Sequence, residues 1–140
     1  MRKKILVVDD DADLVELIRF NRTQAGYAIG TASNGVEAIK KARSWQPDLI
    51  VLDIMMPELD GFAVCEILRR DPATADIPIM MLTALSSELG RMAGLGSGAS
   101  DFITKPFSPR LLAQKIDELL QKVSKAAPND RHLNQPVTCS

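Results

Sequence analysis

Short runs of apolar residues, the first of them rich in β-branched residues, recur along this chain and alternate with stretches of helical periodicity. Three of these runs are Ile5-Leu6-Val7-Val8, Leu49-Ile50-Val51-Leu52 and Ile79-Met80-Met81-Leu82; Tyr27 to Ala32 and Asp101-Phe102-Ile103 are weaker examples. Continuous apolar runs of this length are typical of strands that are buried on both faces, as in parallel sheets. Five strands alternating with helices predict an α/β fold, in which a doubly wound parallel sheet is covered by helices on both faces.

The connecting segments predict five helices and one domain. Helices are expected after Asp11, after a turn at Asn34-Gly35, from about Gly61 to Arg70, from Ser86 to Gly96, and after Ser108-Pro109. Gly90, Gly94 and Gly96 weaken the fourth of these helices, since each interior glycine costs about 1 kcal/mol relative to alanine. We expect one domain over residues 1–123. Residues 124–140 are polar and aperiodic, and they predict a disordered tail or the start of a linker.

Composition excludes several classes of protein. The 140 residues have a formal net charge of -1, so there is no basic excess of the kind that nucleic acids or anionic membranes attract. No apolar run approaches the roughly 20 residues that span a bilayer. Cys65 and Cys139 make no disulfide framework, which favours free thiols in a reducing, cytoplasmic compartment. We therefore expect no membrane association and no direct nucleic-acid contact from this segment.

Polar residues follow the predicted strands at the points where they end. Asp9-Asp10 follow the first strand, Asp53 ends the third, Thr83 ends the fourth and Lys105 follows the fifth. Ligands of open α/β sheets bind beyond the carboxyl ends of the strands. A single polar residue there would merely mark a strand end, but five on one edge predict a site.

The residue types at this edge suit phosphoryl transfer to a carboxylate. Three neighbouring carboxylates repel one another, and a hard dication such as Mg²⁺ relieves that repulsion. An aspartate can then act as the nucleophile and form an acyl phosphate. Lys105 can contact one phosphoryl oxygen as a point charge, while the Thr83 hydroxyl can donate a hydrogen bond to another.

Four separated segments give the chain a resemblance to bacterial response-regulator receiver domains over about residues 3–123. They are Ile5-Leu6-Val7-Val8-Asp9-Asp10, Leu52-Asp53-Ile54-Met55-Met56-Pro57-Glu58-Leu59-Asp60-Gly61, Leu82-Thr83-Ala84 and Phe102-Ile103-Thr104-Lys105-Pro106-Phe107. The resemblance implies the flavodoxin-like strand order 2-1-3-4-5. It also implies a domain that catalyses only its own phosphorylation and dephosphorylation.

The resemblance assigns a role to each residue of the predicted site. Asp53 would be the phosphoacceptor, and Lys105 would contact the phosphoryl group. The metal would be Mg²⁺, held by Asp9, Asp10, Asp53 and the backbone carbonyl of Met55. Thr83 and Phe102 would form the switch pair, and the Lys105-Pro106 bond would be cis. The Met55 and Leu85 side chains would border the path of hydrolytic water.

The same resemblance suggests partners without naming them. The phosphoryl donor would be a histidine kinase or a histidine phosphotransfer protein, since the only histidine, His132, lies in the tail. The output partner or effector domain is unknown, and a phosphorylation-dependent homodimer is an open alternative. We expect the response to be displayed by the fourth predicted helix, the fifth strand and the last helix, where Leu111 could join a partner surface.

An enzyme of the haloacid-dehalogenase-like phosphatase class is the main alternative. Asp9-Asp10-Asp11 contains an Asp-x-Asp after the first strand, in which Asp9 would be the nucleophile and Asp11 the general acid. That hypothesis leaves Asp53 and the Met56-Pro57 loop without a role. Repeated turnover of a phosphoester would distinguish the enzyme from a domain that is modified once.

Overall fold

Five parallel strands form the sheet. A computed structural model describes residues 2–83, 96, 98–105 and 107–121. The strands are β1 (Lys4–Val8), β2 (Ala28–Ala32), β3 (Leu49–Asp53), β4 (Ile79–Thr83) and β5 (Asp101–Thr104). Their order in the sheet is β2-β1-β3-β4-β5, and every neighbouring pair is parallel. The predicted order 2-1-3-4-5 is confirmed.

Each described helix begins at a capping side chain. The helices are α1 (Ala12–Gln24), α2 (Gly35–Trp45), α3 (Gly61–Arg70) and α4 (109–121). Asp11, Asn34 and Asp60 cap the first three by accepting hydrogen bonds from backbone N–H groups of the first turn, and Ser108 does the same for α4. The Asn34-Gly35 pair, predicted as a turn, is thus the start of α2, because the asparagine side chain binds the N–H of Glu37.

The sheet separates two apolar layers. On one side, alternate strand residues such as Leu6 and Ile50 pack with Val64 and Leu68 of α3 and with the alanines of α2. On the other side, the intervening strand residues pack with α1 and α4; this layer includes Ile5, Val7, Ile18, Leu112, Ile116 and Leu120. The apolar residues of β1, β3 and β4 that were predicted to be buried on both faces are indeed buried.

The first and last parts of the chain meet at Asp117 of α4. One of its carboxylate oxygens accepts a hydrogen bond from the Tyr27 hydroxyl at 2.6 Å and from Arg22 at 3.0 Å. Burial first, and then the hydrogen bond to Asp117, raise the pKa of Tyr27 to about 12. The tyrosine therefore stays a protonated donor, and α4 is held against the end of α1.

Strand β2 lies at one edge of the sheet. Trp45, at the end of α2, packs against it; a Cβ at Gly30 would lie 2.9 Å from the indole ring, so that position has no room for a side chain. Lys41, one turn earlier on α2, donates a hydrogen bond from its ammonium group to the backbone carbonyl of Thr31. Residues of α2 thus cover both one face and part of the rim of β2.

Several sequence-based expectations fall outside the described residues. These are Leu85, most of the predicted helix Ser86 to Gly96, Pro106 with its predicted cis bond, and the predicted tail 124–140. Among the described residues, no helix is both long and apolar enough to cross a bilayer.

Candidate functional site

The carboxyl edge of the sheet brings together the side chains that the sequence predicted there. Asp9 comes directly after β1, Asp53 and Thr83 are the last residues of β3 and β4, and Lys105 comes directly after β5. Because the strands are parallel and in register, these positions lie side by side at one edge. The predicted convergence at one rim is confirmed for the charged groups by the distances below.

Three carboxylates form the centre of the site. Oxygens of Asp9, Asp10 and Asp53 lie within 4.8 Å of one another. Asp9 and Asp53 are 2% and 3% exposed, whereas Asp10 faces solvent. Two buried carboxylates and one exposed carboxylate therefore line a pocket that is open on one side.

Lys105 supplies the positive charge of the pocket. Its ammonium nitrogen lies 3.2 Å from Asp9 Oδ2 and 3.5 Å from Asp53 Oδ1. Burial alone would lower the pKa of Lys105, but the charges of Asp9 and Asp53 outweigh it and the pKa is raised. The lysine thus remains a cation, and a negative charge remains in excess among the four groups.

The pKa of the Asp53 carboxyl group is shifted by its surroundings. Burial, followed by repulsion from Asp9, raises its pKa from 3.8 to about 6, while Lys105 and the N–H of Met55 act in the opposite direction. The Met55 N–H donates to Asp53 Oδ1 over 3.2 Å. Ionisation of Asp53 is therefore costly in this buried acidic pocket, and a bound cation would relieve that cost.

The backbone after β1 holds Asp9 in place. The N–H of Asp11 donates to Asp9 Oδ1 at 2.9 Å, so both oxygens of Asp9 have partners when Lys105 is included. The side chain of Asp11 itself accepts from Asp13 and Leu14 as the cap of α1. Asp11 is thus engaged in capping, which disfavours the general-acid role that the phosphatase alternative gives it.

Gly61 allows α3 to begin directly behind Asp53. Its N–H donates to the Ile54 carbonyl at 3.0 Å. A Cβ at this position would lie 2.6 Å from the Asp53 carbonyl oxygen and 2.7 Å from Ile54 Cα, both of which are backbone atoms. Gly61 was predicted to begin this helix, but the sequence did not indicate its close approach to the backbone of Asp53.

The remaining predicted residues surround the pocket at different depths. Thr83 is 1% exposed, and its neighbour in the register is Thr104 of β5. Phe102 is partly buried and packs against the apolar layer on the α2–α3 side of the sheet. The Met55 side chain is 63% exposed. The threonine is thus buried at the edge of the sheet, whereas the methionine is exposed to solvent.

The donor set fits a hard divalent cation. Asp9, Asp10 and Asp53 offer only oxygen ligands, their oxygens are close enough to share one ion, and two of the three are buried with excess negative charge. Such a set with one open, solvent-facing side suits an ion that keeps several waters. The described residues therefore form an acidic pocket that could bind a metal.

Comparison with known proteins places the chain in a family. Residues 5–117 match the family model described as the response regulator receiver domain. The chain is 47% identical to the alkaline phosphatase synthesis transcriptional regulatory protein PhoP of Bacillus subtilis, over 98% of this chain and 56% of that protein. It is 42% identical to the DNA-binding dual master transcriptional regulator RpaA of Synechocystis, over 96% of this chain and 58% of that protein. The chain thus spans little more than half the length of these relatives.

Solved structures agree in fold. A Francisella response regulator receiver domain has a TM-score of 0.82 and 34% identity, covering 87% of this chain and 99% of that one. A CheY-like receiver domain protein from Methanospirillum hungatei has a TM-score of 0.83 and 28% identity, covering 91% and 100% of the two chains. The phosphatase alternative gains no support from these matches. The chain belongs to the response regulator receiver domain family and is a phosphoacceptor signalling domain of two-component systems.

Proposed function

We propose that Asp53 is the residue that receives the phosphoryl group. The observation that supports this assignment best is the environment of its carboxylate, which is buried, 3.5 Å from the Lys105 ammonium and raised in pKa. Both oxygens of Asp9 are already bound, by Asp11 N–H and Lys105, whereas Met55 and Lys105 both act on Oδ1 of Asp53. We assign bond formation with phosphorus to Asp53 Oδ2.

The reaction transfers one phosphoryl group between two atoms. Asp53 Oδ2 forms a bond to phosphorus while the bond from phosphorus to the donor breaks, and the donor leaves with its bonding electrons. Lys105 lies within ion-pair distance of Asp53 and would stabilise the negative charge that develops on one phosphoryl oxygen. The Thr83 hydroxyl would donate a hydrogen bond to another phosphoryl oxygen. The donor is a histidine kinase or a histidine phosphotransfer protein.

We assign the metal site to Asp9, Asp10, Asp53 and the backbone carbonyl of Met55, with Mg²⁺ as the ion. The closeness of the three carboxylates supports this assignment. A bound Mg²⁺ offsets the charge that the carboxylates and the phosphoryl oxygens would otherwise concentrate in one pocket. Lys105 would share with the ion the role of counter-ion to the two buried aspartates.

Thr83 and Phe102 are the proposed switch pair. Phosphorylation would draw the Thr83 hydroxyl toward the new phosphoryl oxygens, and Phe102 would fill the space beside it. Leu111 of α4 is 42% exposed, so α4 has an apolar position to offer an output partner. A homodimer that depends on phosphorylation is one form such a partner could take.

The domain boundary and the cellular setting also belong to this proposal. Residues 1–123 would be the receiver domain, and 124–140 a disordered tail or the start of a linker to an effector. The domain would act in the cytoplasm, and the acyl phosphate would decay slowly because Met55 and Leu85 are apolar and cannot orient water.

Chemical trapping tests the phosphoacceptor directly. The protein is treated with acetyl phosphate and Mg²⁺, and the acyl phosphate is reduced with borohydride, which marks the modified aspartate for peptide mapping. We expect one phosphoryl mass per chain, located at Asp53, and none in Asp53→Asn. The exposed Asp76→Asn is the matched control and should be modified normally. Modification of Asp53→Asn to the wild-type extent, or a mark at Asp9, contradicts the assignment.

A further inference from the structure

The outer edge of β2 has backbone groups that no neighbouring strand binds, and their positions follow from the register. Ala28 N–H donates to Lys3 carbonyl, and Ala32 carbonyl accepts from Asp9 N–H. In a parallel pair, alternate residues bond to the same neighbour. Residues 28, 30 and 32 therefore face β1, and the N–H and carbonyl groups of Ile29 and Thr31 point away from the sheet.

This edge lacks the usual protection within the strand itself. The sequence Ala28-Ile29-Gly30-Thr31-Ala32 contains neither a charged residue nor proline, and Ile29 and Thr31 are only partly buried. Natural sheets block such edges with lysine, proline or inward-pointing charges. The opposite edge strand, β5, carries the charged Asp101, which pairs with Lys115 at 3.3 Å.

The outward groups of β2 match those of a second copy of the same strand. An antiparallel pair about a twofold axis at Gly30 would place Ile29 opposite Thr31 of the second copy. The twofold axis creates two such pairs. Within each pair, both residues would donate their N–H to the carbonyl of the other, as hydrogen-bonded pairs in antiparallel sheets do. The edge is therefore self-complementary for four hydrogen bonds, which is what an isologous contact requires.

Lys41 blocks this arrangement in the structure. Its ammonium group donates to the outward carbonyl of Thr31, and it also lies 3.4 Å from Glu37. Two of the four bonds of the twofold pair use the Thr31 carbonyl, so both would be lost, and two ammonium groups would enter the ladder. Glu37 is held in turn by the N–H of Ser33 at 2.9 Å, which keeps the lysine near the strand.

We propose that the β2 edge is a strand-pairing surface for a second copy of this chain and that the contact from Lys41 to Thr31 keeps it closed. Pairing at this edge would depend on the register of β2 and on the Lys41 side chain, and not on phosphorylation. The β2 edge is therefore a different surface from the face formed by β5 and α4. Lys41 prevents pairing because its ammonium group lies where a partner strand would have to bind.

Replacing Lys41 by methionine tests whether this side chain prevents strand pairing, because methionine keeps the apolar stem and removes the donor and the charge. Lys40→Met is the matched control: it makes the same change at the adjacent, exposed position of α2. Sedimentation velocity across a concentration series should show Lys41→Met dimerising roughly tenfold or more tightly than wild type, as expected when two net hydrogen bonds are recovered. Lys40→Met should match wild type.

Two further measurements locate the contact. In dimeric Lys41→Met, hydrogen exchange should slow at the amides of Ile29 and Thr31. Adding Ile29→Pro removes one outward N–H without touching the bonds to β1, and it should return the variant to a monomer. Should that double variant not fold, the exchange data alone decide. Lys41→Met that stays monomeric, or that dimerises with Ile29 and Thr31 unprotected, overturns the proposal.

Discussion

Neutralising Asp53 should stabilise the metal-free protein at neutral pH. The relevant change is Asp53→Asn, which keeps the size of the side chain and the acceptor for Met55 N–H but removes the charge. Two carboxylates at the 4.8 Å limit seen for Asp9 and Asp53 repel by about 3.5 kcal/mol at an effective dielectric of ~20. At 3.5 Å, Lys105 attracts Asp53 by a similar amount, about 5 kcal/mol, so burial decides the direction.

The pKa of Asp53 sets the size of the effect. Its rise from 3.8 to about 6 means that the folded protein holds this proton more tightly than the unfolded chain does. The stability contributed by protonated Asp53 is therefore complete below about pH 4 and is lost as the pH rises through about 6. Each unit of this pKa difference corresponds to about 1.4 kcal/mol of folding stability. Solvent screening reduces that figure, so ionisation of Asp53 should lower the free energy of unfolding at pH 7 by about 1–3 kcal/mol.

Urea unfolding in EDTA measures this difference. Asp53→Asn should raise the free energy of unfolding by about 1–3 kcal/mol at pH 7 and by little near pH 4. Asp76→Asn, an exposed aspartate, controls for loss of one negative charge and should change little at either pH. Mg²⁺ should stabilise the wild type more than the variant, since it binds the charged pocket. A variant no more stable than wild type at pH 7, or one equally stabilised at both pH values, refutes the reasoning.

Three other predictions concern the site and the fold. Asp10→Asn should weaken Mg²⁺ binding at least about tenfold in a calorimetric titration, since it removes the negative charge of one of the three carboxylates; an unchanged affinity contradicts the site. Gly61→Ala should slow phosphorylation by acetyl phosphate more than Gly35→Ala does, because both alter the first residue of a helix but only the Gly61 Cβ meets the backbone of Asp53; equal rates at equal folded fraction contradict this. Leu68→Ala, in the core beside β3, should cost about 2–5 kcal/mol in urea unfolding without changing Mg²⁺ affinity per folded molecule.

The sequence predicted most of the sheet because its signals are local. The apolar runs of β1, β3 and β4 have no polar positions, so burial on both faces followed from composition alone. The charged residues at the ends of β1, β3 and β5 were predicted to converge, and Asp9, Asp53 and Lys105 do so. The Asn34-Gly35 pair was wrongly interpreted as a turn, because a capping asparagine and a turn asparagine use the same side-chain chemistry.

Contacts between distant segments could not be predicted in this way. Lys41 and Thr31 are ten residues apart, and the bond between them depends on how α2 crosses the edge of the sheet. The importance of Gly61 lies in the space that a side chain would occupy beside Asp53. Gly61 belongs to a sequence motif, but the motif does not show this close approach of two backbones, which only the packed structure reveals.

The bonds of Asp117 also bear on the order in which the domain can be completed. This residue lies 90 and 95 positions after its partners Tyr27 and Arg22. During synthesis, the segments that form α1 and β2 are therefore made long before the Asp117 carboxylate that binds Arg22 and Tyr27. The apolar layer around Ile18 stays uncovered until α4 docks, and contacts of such long sequence separation slow folding. A ribosome must release nearly the whole domain before its earliest helix is secured.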